Sequence, residues 1–176
     1  AGWIWDIGLH HRRGVGYVYA SEYCDEETAV KTLKAHIGPA AGDLSHRLFK
    51  FEPGYRQTQW HKNCIGVGLS VGFIEPLEAT GISFAEVAAL MLCNLFPWSG
   101  DYEASARQFN EAMCKRFEHV KDFIKVHYYL SERDDTAFWR DNRAPDSASE
   151  YLKGKLAQWR HRPPSFLDID ASHDIF

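Results

Sequence analysis

The spacing of apolar side chains changes along the chain, and this change limits the fold more than any other feature of the sequence. Over residues 3–19 apolar side chains recur at every second position, which is typical of a half-buried strand. Beyond residue 82 they recur every three or four positions, as on one face of a helix. The longest such stripe consists of Phe109, Met113, Phe117, Val120 and Ile124. The sequence therefore predicts an α+β fold, in which antiparallel strands come first and a mainly helical region follows.

The first two strands are predicted to pair as a hairpin. Trp3, Trp5 and Ile7 point to one face of the first strand, and residues 15–19 repeat the alternation in a second one. Only seven residues, including two glycines and two arginines, separate the two runs, so antiparallel pairing is predicted.

A second group of strands is predicted around a turn. Pro53-Gly54 suits the two central positions of a type II turn. Phe49 and Phe51 would lead into this turn, and residues 55–60 would return from it as a strand. Residues 64–69 are predicted to add a third, apolar strand whose glycines allow another group to approach the backbone closely.

Helices are predicted from apolar spacing over the ranges 29–37, 83–96, 109–124 and 151–159. Gly38-Pro39 should end the first of them. The second starts with a predicted capping box, Ser83-Phe84-Ala85-Glu86, and Pro97 ends it. Because this second helix is apolar on nearly every side, we expect it to be buried.

Composition and charge exclude several classes of protein. The 176 residues carry a formal net charge of −4 with no basic block, so no nucleic-acid partner is expected. No run of about 18 apolar residues is present, which predicts that no helix spans a membrane. The four cysteines are scattered without a CxxC pair and favour reduced thiols in a cytoplasmic protein. The histidines lack metal-ligand spacing, so no metal site is predicted.

The segment 66–82 combines glycines, two carboxylates and a helix start. The backbone amides of Thr80 and Gly81 precede the predicted helix, where free N–H groups and the helix dipole favour an anion. Glu75 and Glu78 have mainly apolar neighbours, which favours either protonated carboxyls or a positively charged partner. From the residues alone, the simpler alternative is favoured: a turn at the Thr-Gly pair, with both glutamates capping local backbone.

Four stretches resemble, in family order, the motifs of the flavin-dependent tryptophan halogenases. Residues 75–82 resemble the segment E-P-L-E-S-T-G-I, and residues 3–8 resemble the signature W-x-W-x-I-P. Residues 14–19 resemble the run G-T-G-Y-V-Y, and residues 127–139 resemble the stretch H-Y-x…R-D-D-T-x-F-W. The resemblance extends over nearly the whole chain and favours the anion-site interpretation of the Thr-Gly pair over the simple turn.

The resemblance implies an enzyme that uses reduced FAD, oxygen and chloride or bromide to halogenate tryptophan or a related indole or aromatic compound. In such enzymes the halide is oxidised beside the flavin, and the oxidised halogen reaches a lysine next to the substrate. A separate flavin reductase supplies the reduced FAD. The resemblance leaves open whether the protein forms a homodimer.

The resemblance also assigns roles to residues of this chain. Glu78 matches a glutamate that assists the lysine and the aromatic substitution, and the amides of Thr80 and Gly81 match the halide site. Positions that line or lie near the flavin are matched by Leu69, Ile82, Trp3 and Trp5. Since the family's flavin is covered by other parts of the enzyme, an exposed apolar face is expected around Trp3, Leu69 and Ile82.

Two positions depart from the family pattern, because Gly8 replaces a proline and Ala79 replaces the serine after the glutamate. No stretch matches the family's FAD fingerprint or its lysine segment, so an internal segment that is inactive alone is expected. Residues 1–82 would form part of a flavin-monooxygenase-like FAD module with the halide loop, and residues 83–176 the helical substrate side. The alternatives are a related flavin-dependent monooxygenase or an isolated, non-catalytic binding domain.

Overall fold

The structure is a computed structural model that describes residues 1–42, 44–165 and 168. The chain divides into two compact units, one from residues 1–50 with 128–147 and one from residues 51–127 with 148 onward. Residue 82, the predicted functional boundary, lies inside the second unit, and the assignment of roles to 1–82 and 83–176 stays a prediction. Antiparallel strands precede a mainly helical region, so the predicted α+β class is confirmed.

The first unit begins with the predicted hairpin. Strands β1 (Gly2–Gly8) and β2 (Arg13–Tyr19) are antiparallel, and Trp5 lies opposite Gly16 in their register. Helix α1 (Glu26–Ile37) follows the hairpin and ends before a glycine, as predicted. Both elements could be predicted because period-two alternation and helix end signals depend on residues that are close in sequence.

The carboxylate of Asp6 joins these elements. Arg13 Nε donates to Asp6 Oδ1 at 2.7 Å across the hairpin, and His36 Nε2 on α1 lies 2.8 Å from Asp6 Oδ2. The hydrogen bond from Arg13, followed by that from His36, holds the pKa of the Asp6 carboxyl well below its usual range. A lowered carboxyl pKa stabilises the fold above the ordinary aspartate pKa, and this contribution is lost as the pH falls through the acid range.

Helix α4 (Ala137–Arg143) lies in the same unit and contains Phe138 and Trp139, the aromatic pair at the end of the family-like stretch 127–139. Trp139 is buried, and the Arg133 guanidinium lies 4.7 Å above its ring. Arg133 also donates to both carboxylate oxygens of Asp135, at 2.9 and 2.7 Å. Thr136 occupies the N-cap position of α4, and the Asp135 carboxylate is held by Arg133.

Gly16 is required by close packing inside the hairpin. The indole ring of Trp5 lies across Gly16, and a Cβ at this position would overlap the ring; Gly14 also lies under the same ring. By contrast, Gly8 on the first strand has nothing within 4 Å of a Cβ position. The glycines at positions 14 and 16 of β2 are therefore explained by the Trp5 side chain, which lies across this strand.

We expect Gly16→Ala to destabilise the protein by about 1–3 kcal/mol, because the added methyl group displaces the Trp5 ring. The measurement is the free energy of unfolding in denaturant, together with tryptophan fluorescence in the folded state. Gly8→Ala is the matched control in the same hairpin and should change stability by about 0.5 kcal/mol or less. Equal effects of the two substitutions would contradict the packing explanation.

The second unit contains four two-residue strands that pair antiparallel, β3 with β6 and β4 with β5. They are β3 (Gly54–Tyr55), β4 (Trp60–His61), β5 (Cys64–Ile65) and β6 (Gly72–Phe73). The predicted type II turn at Pro53-Gly54 is wrong, since the φ angle of Gly54 lies outside the left-handed region that this turn requires.

The predicted strands over 55–60 and 64–69 are also wrong in extent and pairing. Tyr55 pairs with Gly72 instead of taking part in a local hairpin. The Tyr55 ring then stacks on Phe117 at a centroid distance of 4.7 Å, and its hydroxyl donates to Glu118 Oε1 at 2.6 Å. These contacts are made with residues far away in the sequence, so local alternation did not indicate them.

The helices of the second unit supply most of its core. They are α2 (Thr80–Leu95), α3 (Glu103–Tyr129), whose last two residues belong to the first unit, and α5 (Glu150–Trp159). Each predicted helix is present, although the observed bounds differ from the predicted ones. The α3 stripe is buried at Phe109, Met113 and Phe117, each with no exposed surface. Phe84 of α2 stacks on Phe117 at 3.9 Å. The remaining buried members of this core are Trp60, Val71, Val87, Ala88, Met91 and Ala106.

Helix α2 buries one face only, so the prediction that it is buried on all sides is wrong. Phe84, Val87 and Met91 pack into the core, whereas Ile82 is 69% exposed and Leu90 is 51% exposed. The segment Leu77–Leu95 is long and apolar enough to cross a membrane by length and composition, with a mean hydropathy of 1.2. Those two properties are shared by core helices of soluble proteins, and the expectation of no membrane span stays a prediction.

Candidate functional site

The candidate site starts with a backbone reversal before helix α2. Residues Leu77–Ala79 form a short 3-10 turn, and the Ala79 amide donates to Pro76 O at 3.1 Å. Glu78 (φ 61°, ψ 15°) and Ala79 (φ 53°, ψ 27°) are both left-handed. This conformation costs about 1–2 kcal/mol per non-glycine residue. Two such residues in succession mark a place where the surrounding structure holds the chain in an unfavourable shape.

Helix α2 begins directly after this reversal, at Thr80. The capping box predicted at Ser83–Glu86 is therefore wrong, because Ser83 lies inside the helix and Ala79 occupies the N-cap position without a side-chain cap. The signal for the true start is weak in the sequence, since alanine is a poor N-cap residue and the left-handed pair contains no glycine.

The amides of Thr80 and Gly81 lie in the first turn of α2. Helical N–H groups at this position have no acceptor within the helix, and the helix dipole adds a favourable potential for negative charge. Thr80 and Gly81 are both partly exposed. A Cβ built on Gly81 would have nothing within 4 Å, so the space beside this amide is open. The fold of this chain does not itself require a glycine here.

Glu78 lies at the start of this site with its side chain 49% exposed. Its Oε1 is 3.2 Å from Nε2 of His127, which lies in the last turn of α3. The expected apolar surroundings are therefore wrong for Glu78, because its side chain is half-exposed and lies beside the imidazole of His127. Glu75 is half-buried.

Leu69 and Ile82 expose large apolar side chains in the same unit. Leu69 is 77% exposed on the 3-10 turn Gly68–Ser70, and Ile82 is 69% exposed on the first turn of α2. The turn packs against α2, and Ser70 holds its shape by accepting from the Val67 amide at 3.1 Å. The expected exposed apolar face is confirmed for these two residues.

Trp3 and Trp5 belong to the first compact unit. Trp3 is half-buried, and its indole nitrogen is buried without a hydrogen-bond partner among the described residues. Trp5 is also half-buried and covers Gly16. The Trp3 side chain is therefore less exposed than expected for a residue of an exposed apolar face.

Two other features lie apart from these residues. An open cleft of about 810 Å³ in the second unit is lined by residues that include Trp60, Tyr102 and Asn110. None of the candidate site residues lines it. Within residues 1–42, 44–165 and 168, no three His, Cys, Asp or Glu side chains are grouped so that they hold a metal ion.

His127 is the site residue that sequence reasoning missed. In the sequence, His127 stands out only as the first residue of the family-like stretch 127–139. Nothing in that stretch indicates that its side chain contacts Glu78. The two residues are far apart in the sequence, and only the packing of α3 beside the 3-10 turn brings their side chains together.

Comparison with known proteins identifies the family. A sequence model described as tryptophan halogenase matches residues 1–173, so the chain belongs to the tryptophan halogenase family. Tryptophan 6-halogenase SttH of Streptomyces toxytricini is 38% identical over 173 residues, which cover 96% of this chain and 32% of that protein. Tryptophan 7-halogenase RebH of Lentzea aerocolonigenes is 37% identical over 145 residues, covering 81% of this chain and 27% of that protein.

Solved structures agree with the family assignment. A tryptophan halogenase from Shewanella frigidimarina superposes with a TM-score of 0.89 at 38% identity, over 99% of this chain and 34% of that one. BrvH, a flavin-dependent halogenase from Brevundimonas, superposes with a TM-score of 0.81 at 39% identity, over 96% of this chain and 36% of that one. The chain spans about a third of the length of the relatives it matches.

Proposed function

We propose that this chain is the segment of a flavin-dependent halogenase that provides the halide site and a catalytic carboxylate. The proposed enzyme halogenates tryptophan or a related aromatic compound with chloride or bromide. One observation carries the proposal: in a member of the tryptophan halogenase family, Glu78 directly precedes a helix whose first turn offers the amides of Thr80 and Gly81.

The first turn of α2 is proposed to bind the halide. A single spherical anion is held well by backbone N–H groups that lack other acceptors, and the positive end of the helix dipole supports it. The open space beside Gly81 lets an ion reach its amide, because no side chain covers the backbone there. The first turn of α2, residues 80–83, contains no lysine or arginine, so its own donors are backbone N–H groups and the hydroxyls of Thr80 and Ser83.

The described residues fit a bound flavin. Leu69 and Ile82 offer exposed apolar side chains near the first turn of α2, and a flat aromatic ring packs well on such a surface. Trp3 and Trp5 are both half-buried and are proposed to lie near the flavin, as the matching positions of the family motif do. When bound, the reduced cofactor and oxygen supply the oxidation of the halide, and a flavin reductase supplies the reduced cofactor.

Glu78 is proposed to act on the substrate side. An aromatic carbon that gains a halogen as a cation equivalent must lose its hydrogen as a proton, and a carboxylate is a suitable acceptor. The Glu78 carboxylate can reach a bound molecule because its side chain is half-exposed. Ala79 has no hydroxyl group with which to orient its neighbour, in contrast to the serine of the family motif.

The two parts of the chain are proposed to have different roles. Residues 1–82 would contribute to the FAD module, and residues 83–176 would form the helical substrate side. The family's lysine would come from a segment that no stretch of this chain matches. A cytoplasmic protein without a nucleic-acid or membrane partner is proposed from charge and cysteine usage.

The proposal is tested with the complete enzyme that contains this chain. It is incubated with FAD, a flavin reductase, bromide or chloride, and tryptophan, and the products are analysed by mass spectrometry. A halogenated product that depends on both FAD and halide is expected. A hydroxylated product without halogen would favour the monooxygenase alternative, and binding of an aromatic compound without turnover would favour the non-catalytic alternative.

We expect Gly81→Ala to raise the chloride KM of the complete enzyme about tenfold without destabilising the fold. The added methyl group covers the open space beside the amide, whereas alanine favours a helix by up to about 1 kcal/mol relative to glycine. Chloride dependence of turnover and thermal unfolding are the two measurements.

Gly154→Ala is the matched control for this substitution. Gly154 lies on α5 and also has nothing within 4 Å of a Cβ position. It should show a similar gain in stability and an unchanged chloride KM. A Gly81→Ala enzyme with the wild-type chloride KM would contradict halide binding at this amide.

A further inference from the structure

The contact between His127 and Glu78 gives His127 a role beyond the residues assigned so far. His127 Nε2 lies 3.2 Å from Glu78 Oε1, and the two side chains are 36% and 49% exposed. The pair therefore sits at the surface of the second unit, where a bound molecule has access to the carboxylate. Glu78 belongs to the strained turn, whereas His127 belongs to the regular helix α3.

The imidazole ring of His127 is held by its own helix. Its Nδ1 lies 3.1 Å from the backbone oxygen of Phe123, one helical turn earlier. The Phe123 ring also packs edge-on against the imidazole at a centroid distance of 5.2 Å and an interplanar angle of 85°. Phe123 therefore restrains His127 through both its carbonyl group and its side chain.

This arrangement determines which ring nitrogen faces the carboxylate. A carbonyl oxygen only accepts hydrogen bonds, so Nδ1 carries a hydrogen and donates it to Phe123. Nε2 is left to face Glu78. The distance of 3.2 Å from Nε2 to Oε1 places the carboxylate of Glu78 directly beside this ring nitrogen.

Glu78 needs such a partner because its own surroundings restrain it weakly. Its side chain is half-exposed, and the next residue is an alanine without a hydroxyl group. A free glutamate side chain samples several rotamers, and holding it in one of them costs conformational entropy. An ordered imidazole at 3.2 Å selects the rotamers that place the carboxylate against α3.

We propose that His127 is a positioning residue that orients the Glu78 carboxylate for its reaction with the bound substrate. This inference rests on the proposed function, in which Glu78 accepts the proton released by the aromatic carbon. His127 acts through Glu78 and does not contact the substrate itself. Its Nε2 atom lies against the carboxylate, and Phe123 holds the imidazole ring in place.

Two substitutions of His127 in the complete enzyme test this role. His127→Leu removes the polar contact with Glu78, and we expect kcat to fall about tenfold while the KM of the aromatic substrate changes about twofold or less. His127→Gln places an amide nitrogen near the position of Nε2 and keeps a donor toward Glu78. We expect its kcat to lie within about threefold of the wild-type value.

A purely structural role for His127 would give a different result. Loss of packing would affect the leucine and glutamine variants alike and would appear in thermal unfolding. His119→Leu is the matched control on α3, because His119 stacks on Tyr151 at 4.8 Å, and its kcat should match the wild type. A glutamine variant as impaired in kcat as the leucine variant would overturn the proposal, and so would a leucine variant with wild-type kcat.

The dependence on Glu78 is tested by a double substitution. Glu78→Asp keeps a carboxylate but withdraws it by one methylene group from Nε2. His127→Leu should then lower kcat by about threefold or less in this background, since the contact is already broken. The same tenfold loss in both backgrounds would show that His127 acts independently of Glu78. If Glu78→Gln alone leaves turnover unchanged, the proposed function fails; if it abolishes turnover while His127→Leu is fully active, only the positioning role fails.

Discussion

Replacing Glu78 by glutamine in the complete enzyme is expected to lower the halogenation kcat by at least about a hundredfold, the range in which acid–base groups contribute to catalysis. Glutamine has nearly the same size as glutamate and can still lie beside His127, so the turn before α2 should keep its shape. It cannot accept a proton at neutral pH. The loss should therefore appear in turnover, with flavin affinity and thermal stability close to those of the wild type.

The matched control for this prediction is Glu86→Gln. Glu86 is an exposed carboxylate on α2, the helix that follows the turn carrying Glu78, and its removal changes the net charge by the same amount. Its kcat should stay within about twofold of the wild type, because an exposed charge away from the site contributes little. Wild-type turnover of Glu78→Gln would remove Glu78 from the mechanism, and an equal loss in both variants would point to general electrostatics.

Replacing Phe117 by alanine is expected to destabilise the protein by about 3–5 kcal/mol, the usual cost of removing a buried aromatic ring. Phe117 has no exposed surface and lies between two other rings. Phe84 stacks on it at 3.9 Å and Tyr55 at 4.7 Å. These rings come from three separate parts of the chain, so the cavity would weaken the contacts between α2, α3 and β3 at once.

The free energy of unfolding in denaturant measures this effect. Phe123→Ala is the control on the same helix, because Phe123 is 48% exposed and its removal should cost about 1 kcal/mol or less. A loss below about 1 kcal/mol for Phe117→Ala would mean that the site collapses around the missing ring, or that this core contributes less to stability than its burial indicates.

Local patterns predicted the elements whose contacts are close in sequence. The hairpin of β1 and β2 follows from alternation over residues 3–19, and the buried stripe of α3 follows from helical spacing. The same reasoning failed for residues 49–69. There, Tyr55 pairs with Gly72 through the backbone and stacks on Phe117 through its ring. Patterns over a few neighbouring residues cannot predict contacts with such distant parts of the sequence.

The start of α2 was missed for a related reason. Ser83 and Glu86 have the right spacing for a capping box, yet the helix extends one turn further toward the N-terminus. Two left-handed residues, Glu78 and Ala79, make this extension possible at a local cost. Intrinsic preferences disfavour that conformation, so the surrounding structure must hold it.

The sequence by itself determined the family, the α+β class and the identity of the candidate residues Glu78, Thr80 and Gly81, because motifs and periodicity depend on neighbours along the chain. The tertiary structure alone decided that Glu78 is exposed and paired with His127, that Gly81 faces open space, and that Trp5 covers Gly16. Each of these facts depends on how separate segments pack, and packing is set by the summed burial of residues that are distant in sequence.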